Sequence, residues 1–545
     1  MPGATVKDDG LKRKRKDAKN DVKKRARTDE SSDEEDVQSQ ILLMEAGIVE
    51  SKKNYNDIVK LIGLVKDYEE ETESTVFAAV ALCRIFIRLL AAGSLTHQRN
   101  ASDKEVVVVQ WLKDRLSEYK DVLVLLVSQE DLASTALTLA MKLLKAEGEQ
   151  LNFKKEFYVF PKEFLEQIIL GLVRSKSSEG RDEYVEKYVD EYDDVRFFTH
   201  QAIKNILSSR SDEIPDSEWF DLVFDLLVAI DGVPDSNGEL EDFYMPAPKK
   251  KAHNLYSLAQ HKKQAQDAWL ALMALSISRE QQKRILGSLV SVIAPWFAKP
   301  ELLSDFLTDC YNAGGSLSLL ALSGVFYLIE NRNLDYPSFY PKLYSLLDKD
   351  ILHSKHRSRF FRLLDTFLAS SHLPAALVAS FIKRLSRLAL YAPPSAVVFV
   401  VPWIYNLFKR HPACTFMMHR EIRDPELKES IESEGFKDPF LPDETDPMET
   451  KAIESCVWEL VQLQAHYHPN VATIAKIISE QFTKQSYNIE DFLDHSYGSL
   501  LDSEMSKDVK KAPVVEFQIP KRIFLSQDEG SGVADSLLVK LWNFS

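Results

Sequence analysis

No two cysteines of this chain are near neighbours. The four, Cys83, Cys310, Cys414 and Cys456, lie far apart along 545 residues. That excludes a CxxC pair or a zinc-ribbon spacing. The expectation is buried, reduced thiols in an intracellular protein. Glycine is scarce at 18 and proline modest at 22, with turn residues in clusters. Leu, Ala, Lys and Glu abound, which favours helices over strands. Gly314-Gly315 is not followed by the Gly-Lys-Ser/Thr run of a phosphate loop, and no GxSxG elbow occurs. His353 with His356, and His466 with His468, lack the further ligands that a tetrahedral metal site needs. We therefore expect no cofactor, no metal, no small-molecule substrate and no catalytic residues.

An apolar leader is also missing, because the N-terminus is charged where such a region would stand. A membrane span needs about 20 apolar residues. The nearest candidate runs from Val76 to Ala92 and is interrupted by Arg84 and Arg88, four apart on one helix face. A buried amphipathic helix with a cationic ridge accounts for this better than a span, so no membrane partner is expected.

What the chain does have is charge, unevenly placed. The net charge is -15. Residues 1–27 carry +7 and residues 28–36 carry -6, leaving -16 on the rest. Residues 1–38 form a low-complexity segment that should be disordered. It holds two basic clusters, Lys12, Arg13, Lys14, Arg15, Lys16 and Lys23, Lys24, Arg25, Arg27, which read as a nuclear-import signal. Ser31 and Ser32 stand just before acids, and we expect phosphorylation there, to be read by intact mass of native protein.

From Ile41 onward a helical period persists. Ile58, Leu61, Ile62 and Val65 recur at i, i+3, i+4 and i+7, as do Phe220, Val223, Phe224 and Leu227, and then Phe360, Leu363, Leu364 and Phe367. Short polar breaks between such pieces predict an all-α fold, a HEAT/armadillo-like helical-repeat solenoid. The expected divisions are helical repeats over 39–230, an exposed Gly/Pro-rich loop over 231–254, a second helical domain over 255–510, and a docking tail over 511–545. A further acidic loop is expected from Arg423 to Met448. Two cationic ridges stand out on the acidic background: Lys355, Arg359, Arg362 and Lys383, Arg384, Arg387. They are candidate RNA or partner surfaces, if not simply solvated or paired faces.

The stretch from Ser316 into the 480s resembles a known family. It carries Leu319-Leu-Ala-Leu-Ser-Gly-Val-Phe326, Tyr336-Pro-Ser-Phe-Tyr340, Leu343-Tyr-Ser-Leu-Leu347 and Arg359-Phe-Phe-Arg-Leu-Leu-Asp-Thr-Phe-Leu368. His372-Leu-Pro-Ala375, Phe381-Ile-Lys-Arg-Leu-Ser-Arg-Leu-Ala-Leu390 and Ala392-Pro-Pro394 follow. Then come Asp438-Pro-Phe440, Asp446-Pro447, Ser455-Cys-Val-Trp-Glu-Leu460 and His466-Tyr-His-Pro469. Together they resemble the CCAAT-binding-factor-like domain of the nucleolar complex-associated proteins, in its nucleolar complex protein 4 branch. The resemblance implies a nucleolar, non-catalytic scaffold of the small-subunit processome. It implies a role in 18S rRNA processing and pre-40S maturation and export. It also implies nucleolar protein 14 as partner, with other processome proteins and an rRNA methyltransferase nearby. The alternative is a nuclear transcription or chromatin factor of the wider group. On the residues alone, Asp438, Pro439, Phe440, Asp446 and Pro447 form a candidate partner loop. Trp458, Leu460 and Leu463 should pack one helix face.

Overall fold

The computed structural model describes residues 37–68, 72–96, 103–153, 158–175, 177–210, 214–332, 336 and 338–508. Both basic clusters, Ser31, Ser32 and the 511–545 segment lie outside them. The fold is all-α, as the periodicity predicts, and no strand occurs among the described residues.

Two compact units divide the chain. Among the described residues, those up to 370 together with 445–447 form unit 1, and 371–444 together with those from 448 form unit 2. In unit 1 the helices are α1 (37–50), α2 (Asp57–Lys66), α3 (Thr72–Ala91), α4 (Asp103–Val127), α5 (Ala133–Phe153), α6 (Lys162–Arg174), α7 (Glu179–Tyr184), α8 (Asp193–Ser208) and α9 (Asp216–Ala229). They continue with α10 (Leu258–Met273), α11 (Arg279–Ser288), α12 (Ala294–Trp296), α13 (Ser304–Asn312), α14 (Gly315–Arg332), α15 (Phe339–Ser345) and α16 (Arg357–Phe367). Most pack on the next helix or the next but one: α2 on α3, α3 on α5, α4 on α6, α6 on α8, α8 on α10, α13 on α14; α11 instead reaches α14. That serial order is what a stack of helical repeats produces.

The sequence pattern explains the pieces. In α2 the four periodic residues Ile58, Leu61, Ile62 and Val65 are the buried ones. The α3 helix is long and apolar enough to cross a membrane. Here it packs on α2 and α5, and its ridge shares one carboxylate: Arg84 donates to both Glu45 oxygens at 3.1 and 2.7 Å, and Arg88 lies 3.6 Å from Glu45. Gly171 lets α6 approach α4, since a Cβ there would stand 2.9 Å from the Val124 carbonyl oxygen.

The Gly/Pro-rich 231–254 segment is not the division that the sequence suggested. Helices from both sides of it pack together within unit 1: α10, which follows it, on α8 and on α9, which precede it. The segment itself is pinned. Asp194 accepts from the Tyr244 and Met245 amides at 2.8 and 3.0 Å, and Asp193 and Asp242 exchange backbone and side-chain bonds. Tyr244 and Met245 are buried as a result.

Beneath this segment lie two buried histidines. His200 packs on Trp296, and His261 holds the Leu255 carbonyl oxygen at 2.9 Å. Burial drives both down, to about 3 for His200 and about 4 for His261, with the Arg196 charge adding to the shift. A histidine depressed in the folded state contributes stability above its unfolded value near 6.5 and loses it as pH falls toward the folded one. Unit 1 should therefore weaken by several kcal/mol between about pH 6.5 and pH 4.5, at ~1.4 kcal/mol per unit for each ring. Thermal melts across that range check this, and the double variant His200→Gln, His261→Gln should flatten the slope.

Unit 2 is built on α17 (Ala375–Ala389), α18 (Pro394–Arg410), α19 (Pro425–Glu434), α20 (Trp458–Leu463), α21 (Pro469–Ala475), α22 (Glu490–Leu493) and α23 (Tyr497–Met505). The central helix is α18, buried on every side from Ser395 to Phe408. A helix apolar all round belongs in a core, and Pro402 within it gives up one helical hydrogen bond. The acidic stretch read as a loop from Arg423 contains α19. Its start was legible: Asp424 caps the helix through the Glu426 amide at 3.1 Å and Pro425 occupies the first turn. Gly435, at φ 82°, ends it.

Candidate interaction site on unit 2

Helix α17 presents Lys383 and Arg387 one turn apart. The small buried residues Ala379, Ser380 and Ser386 flank them and let other chain segments come close. Ser380 meets Thr450 at 2.5 Å, and the Leu441 amide donates to the Thr450 carbonyl at 2.9 Å. This lays the stretches 438–444 and 448–459 against α17.

The result is a closed charge cluster. Lys383 Nζ lies 2.9 Å from Asp438 Oδ2, 2.7 Å from Glu459 Oε1 and 2.6 Å from the Cys456 carbonyl oxygen. Arg387 bonds the same two carboxylates, at 2.7 Å to Asp438 and 2.6 Å to Glu459. Two cations and two anions balance. The Lys383 and Glu459 side chains are 0% exposed. Burial alone would raise the Asp438 carboxyl, but hydrogen bonds from Ser455, Lys383, the Phe440 amide and Trp458 outweigh it and hold the group well below the usual carboxylate range.

Lys383, a candidate RNA or partner contact by sequence, follows the paired alternative and is a core residue. A lysine can be buried when paired carboxylates and a carbonyl satisfy its three donors. Arg387 is 36% exposed at its side chain but its guanidinium is committed. Arg384 is half-buried and also engaged. On the other ridge, Lys355 and Arg362 lie exposed, whereas Arg359 donates to Ser323 Oγ at 2.6 Å and burial draws it below its ordinary value.

The expected partner loop is corrected in the same way. Phe440 and Pro447 are buried, Pro439 is half-buried, and Asp438 belongs to the charge cluster. Asp446 and Pro447 fall in unit 1. The Phe440 ring gains from burial, and five bonds, from Lys383, Arg387, Ser455, the Phe440 amide and Trp458, offset the cost of desolvating the Asp438 carboxylate.

What the sequence pattern missed is the outer face of α20. Leu460 and Leu463 are buried as expected, but Trp458 is 41% exposed and Val461, one turn on, 60%. The Trp458 indole donates to Asp438 at 3.1 Å, and its ring stands 5.3 Å from the Arg387 guanidinium and 5.6 Å from Lys383 Nζ. The bonded cluster beneath thus fixes the rotamer of a half-exposed tryptophan. Tryptophan and arginine are the residues that most often dominate protein interfaces. Among the described residues no three His, Cys, Asp or Glu side chains converge as metal ligands would.

Two family models match this chain. One, described as nucleolar complex protein 4-like, TPR repeats, covers residues 29–212; the other, the CBF/Mak21 family, covers 318–475 and contains the cluster just described. Nucleolar complex protein 4 of Saccharomyces cerevisiae is 35% identical over 88% of this chain and 94% of its own length. The chain belongs to the nucleolar complex protein 4 family. An uncharacterised protein of Schizosaccharomyces pombe is 39% identical over 90% of this chain and 99% of its own, and the human nucleolar complex protein 4 homologue is 33% identical over 86% and 92%. Membership of the nucleolar complex protein 4 family makes this a nucleolar helical-repeat protein with a role in ribosome biogenesis. It also extends the likeness over the N-terminal helices, where the sequence offered only helical character and a basic segment.

Proposed function

We propose that this chain is a non-catalytic scaffold of small ribosomal subunit biogenesis. In this reading it works in the small-subunit processome through a complex with nucleolar protein 14, supporting 18S rRNA processing and pre-40S maturation and export. The observation that carries it is the likeness, over 88% of this chain, to a yeast protein named for a nucleolar complex. The exposed Trp458–Val461 face of α20 supports it, because it offers a rigid aromatic anchor to a protein partner. Lys355 and Arg362 are further candidate contacts to pre-rRNA. The two basic clusters of residues 12–27 serve nuclear import, and an rRNA methyltransferase is a neighbour.

Affinity purification of the full chain tests this. The native protein should bring down nucleolar protein 14 and sediment with 18S precursors. Val461→Asp, at an exposed position, should lose that partner by roughly 30-fold or more, the size of an interface hot spot, and keep its circular dichroism. Trp458→Phe should bind more strongly than Trp458→Ala. Sedimentation with chromatin in place of 18S precursors would overturn the reading.

A further inference from the structure

In this acidic chain, unit 1 carries exposed lysines on three segments that ring contacts join. Lys249, Lys250 and Lys251 are consecutive and exposed, and Lys263 on α10 is exposed beside half-buried Lys262. Lys162 stands exposed at the start of α6. Aromatic contacts tie these three segments together. Lys162 Nζ lies 5.1 Å from the Phe198 ring; Phe198 is 6.5 Å from Tyr158; Tyr158 is 5.3 Å from His253, two residues past Lys251. His261, next to Lys262, lies 5.0 Å from Phe197 and holds the Leu255 carbonyl oxygen.

The frame beneath the lysines is rigid. Asp194 anchors Tyr244 and Met245. Met245 packs where Gly148 has no Cβ. Tyr256 donates to the Pro248 carbonyl at 3.3 Å, and the His253 amide to the Lys250 carbonyl at 3.0 Å. Among the described residues no carboxylate pairs with Lys162, Lys249, Lys251, Lys262 or Lys263, and the nearby Asp267 is taken by Lys204 at 2.8 Å. The acids at the far end of the loop are partly engaged: Glu239 accepts from the Asp235 amide and Ser236.

We propose that this lysine face binds the phosphate backbone of single-stranded RNA. The set contains lysines and no arginine. Lysine serves phosphate as a mobile point charge, whereas carboxylate recognition favours the arginine fork. The charges are spread over a loop and two helices, as a track for a chain of phosphates requires, and not gathered at one pocket. A pinned loop binds without an ordering cost. This surface is separate from the α20 face and goes beyond the partner-binding role.

The test uses the full chain and a fluorescein-labelled, mixed-sequence single-stranded RNA, followed by anisotropy across a salt series. Each lysine that meets a phosphate contributes about 0.7 to the slope of log K against log salt. The variant Lys162→Ala, Lys249→Ala, Lys251→Ala, Lys263→Ala should lose about 3 from that slope and bind at least roughly tenfold more weakly at ~0.1 M salt. Circular dichroism should be unchanged. The basic N-terminal segment is present in both proteins and cancels in the comparison. An unchanged slope and affinity would overturn the proposal. So would a loss of polyglutamate-peptide binding in the variant as large as its loss of RNA binding, which would make the face an acidic-protein site. Capture of nucleolar protein 14 by the same variant separates this outcome from that of the scaffold reading.

Discussion

Lys383→Met in the full-length chain should destabilise unit 2 by about 3–5 kcal/mol, the cost of breaking a buried ion pair from one side. The substitution fills nearly the same volume, so the loss is electrostatic. Glu459 would keep Arg387 but lose a partner at 2.7 Å, and it has no exposed surface through which water could compensate. The Cys456 carbonyl would lose its donor too. Hydrogen exchange read on peptides from α17 and α18 should rise steeply, while peptides from α2 to α6 stay as they are. The double variant Lys383→Met, Glu459→Leu removes one charge of each sign and leaves Arg387 with Asp438. It should recover most of the protection, since apolar residues of similar size commonly replace buried pairs at little cost. Unchanged exchange in the single variant would mean that the cluster contributes nothing. The effect should also hold steady at neutral pH. A carboxyl depressed in the folded state, as Asp438 is, contributes stability above its unfolded value near 4 and loses it only as pH falls further.

Asp194→Ala should release the 231–257 segment at a cost of about 3–5 kcal/mol to unit 1. Asp194 is 0% exposed and accepts four bonds: from the amides of Val195, Tyr244 and Met245, and from the Tyr158 hydroxyl at 2.9 Å. Each buried donor left without an acceptor costs about 1–3 kcal/mol. Two of these amides belong to the segment, so its freedom and the stability loss should appear together. Limited proteolysis should then cut between residues 231 and 257, where the native chain should resist, and exchange over 242–256 should approach that of an open loop. Asp194→Asn keeps one acceptor oxygen and should fall between. An uncut Asp194→Ala protein would show that packing of Met245 and Tyr244 suffices alone. Because the segment carries Lys249 and Lys251, loosening it should weaken RNA binding less than removing the lysines, through lost rigidity alone.

Much of this architecture was legible along the chain. The period of Ile58, Leu61, Ile62 and Val65 puts exactly those four side chains in the core. The Asp-Pro-Glu opening of α19 was a start signal that its acidic composition masked. Arg84 and Arg88 read as a ridge on a core helix, and both meet Glu45. The family likeness, too, rests on residues in order.

Two things were decided only in three dimensions. One is which charges are surface. Lys383 and Lys355 look alike in sequence, each opening a run of cations: Lys383, Arg384, Arg387 and Lys355, Arg359, Arg362. Lys383 is buried because Asp438 and Glu459, more than fifty residues on, come to it, whereas Lys355 stays in solvent. The other is which breaks are boundaries. Gly and Pro mark 231–254 as a loop, but Asp193 and Asp194 bind it into unit 1, and the division falls after Ser370. Periodicity is a local property, set by the geometry of one helix, so the sequence by itself determined the helices and their inner faces. Burial of a charge and docking of a loop depend on partners distant in the chain, and only the tertiary fold supplies them.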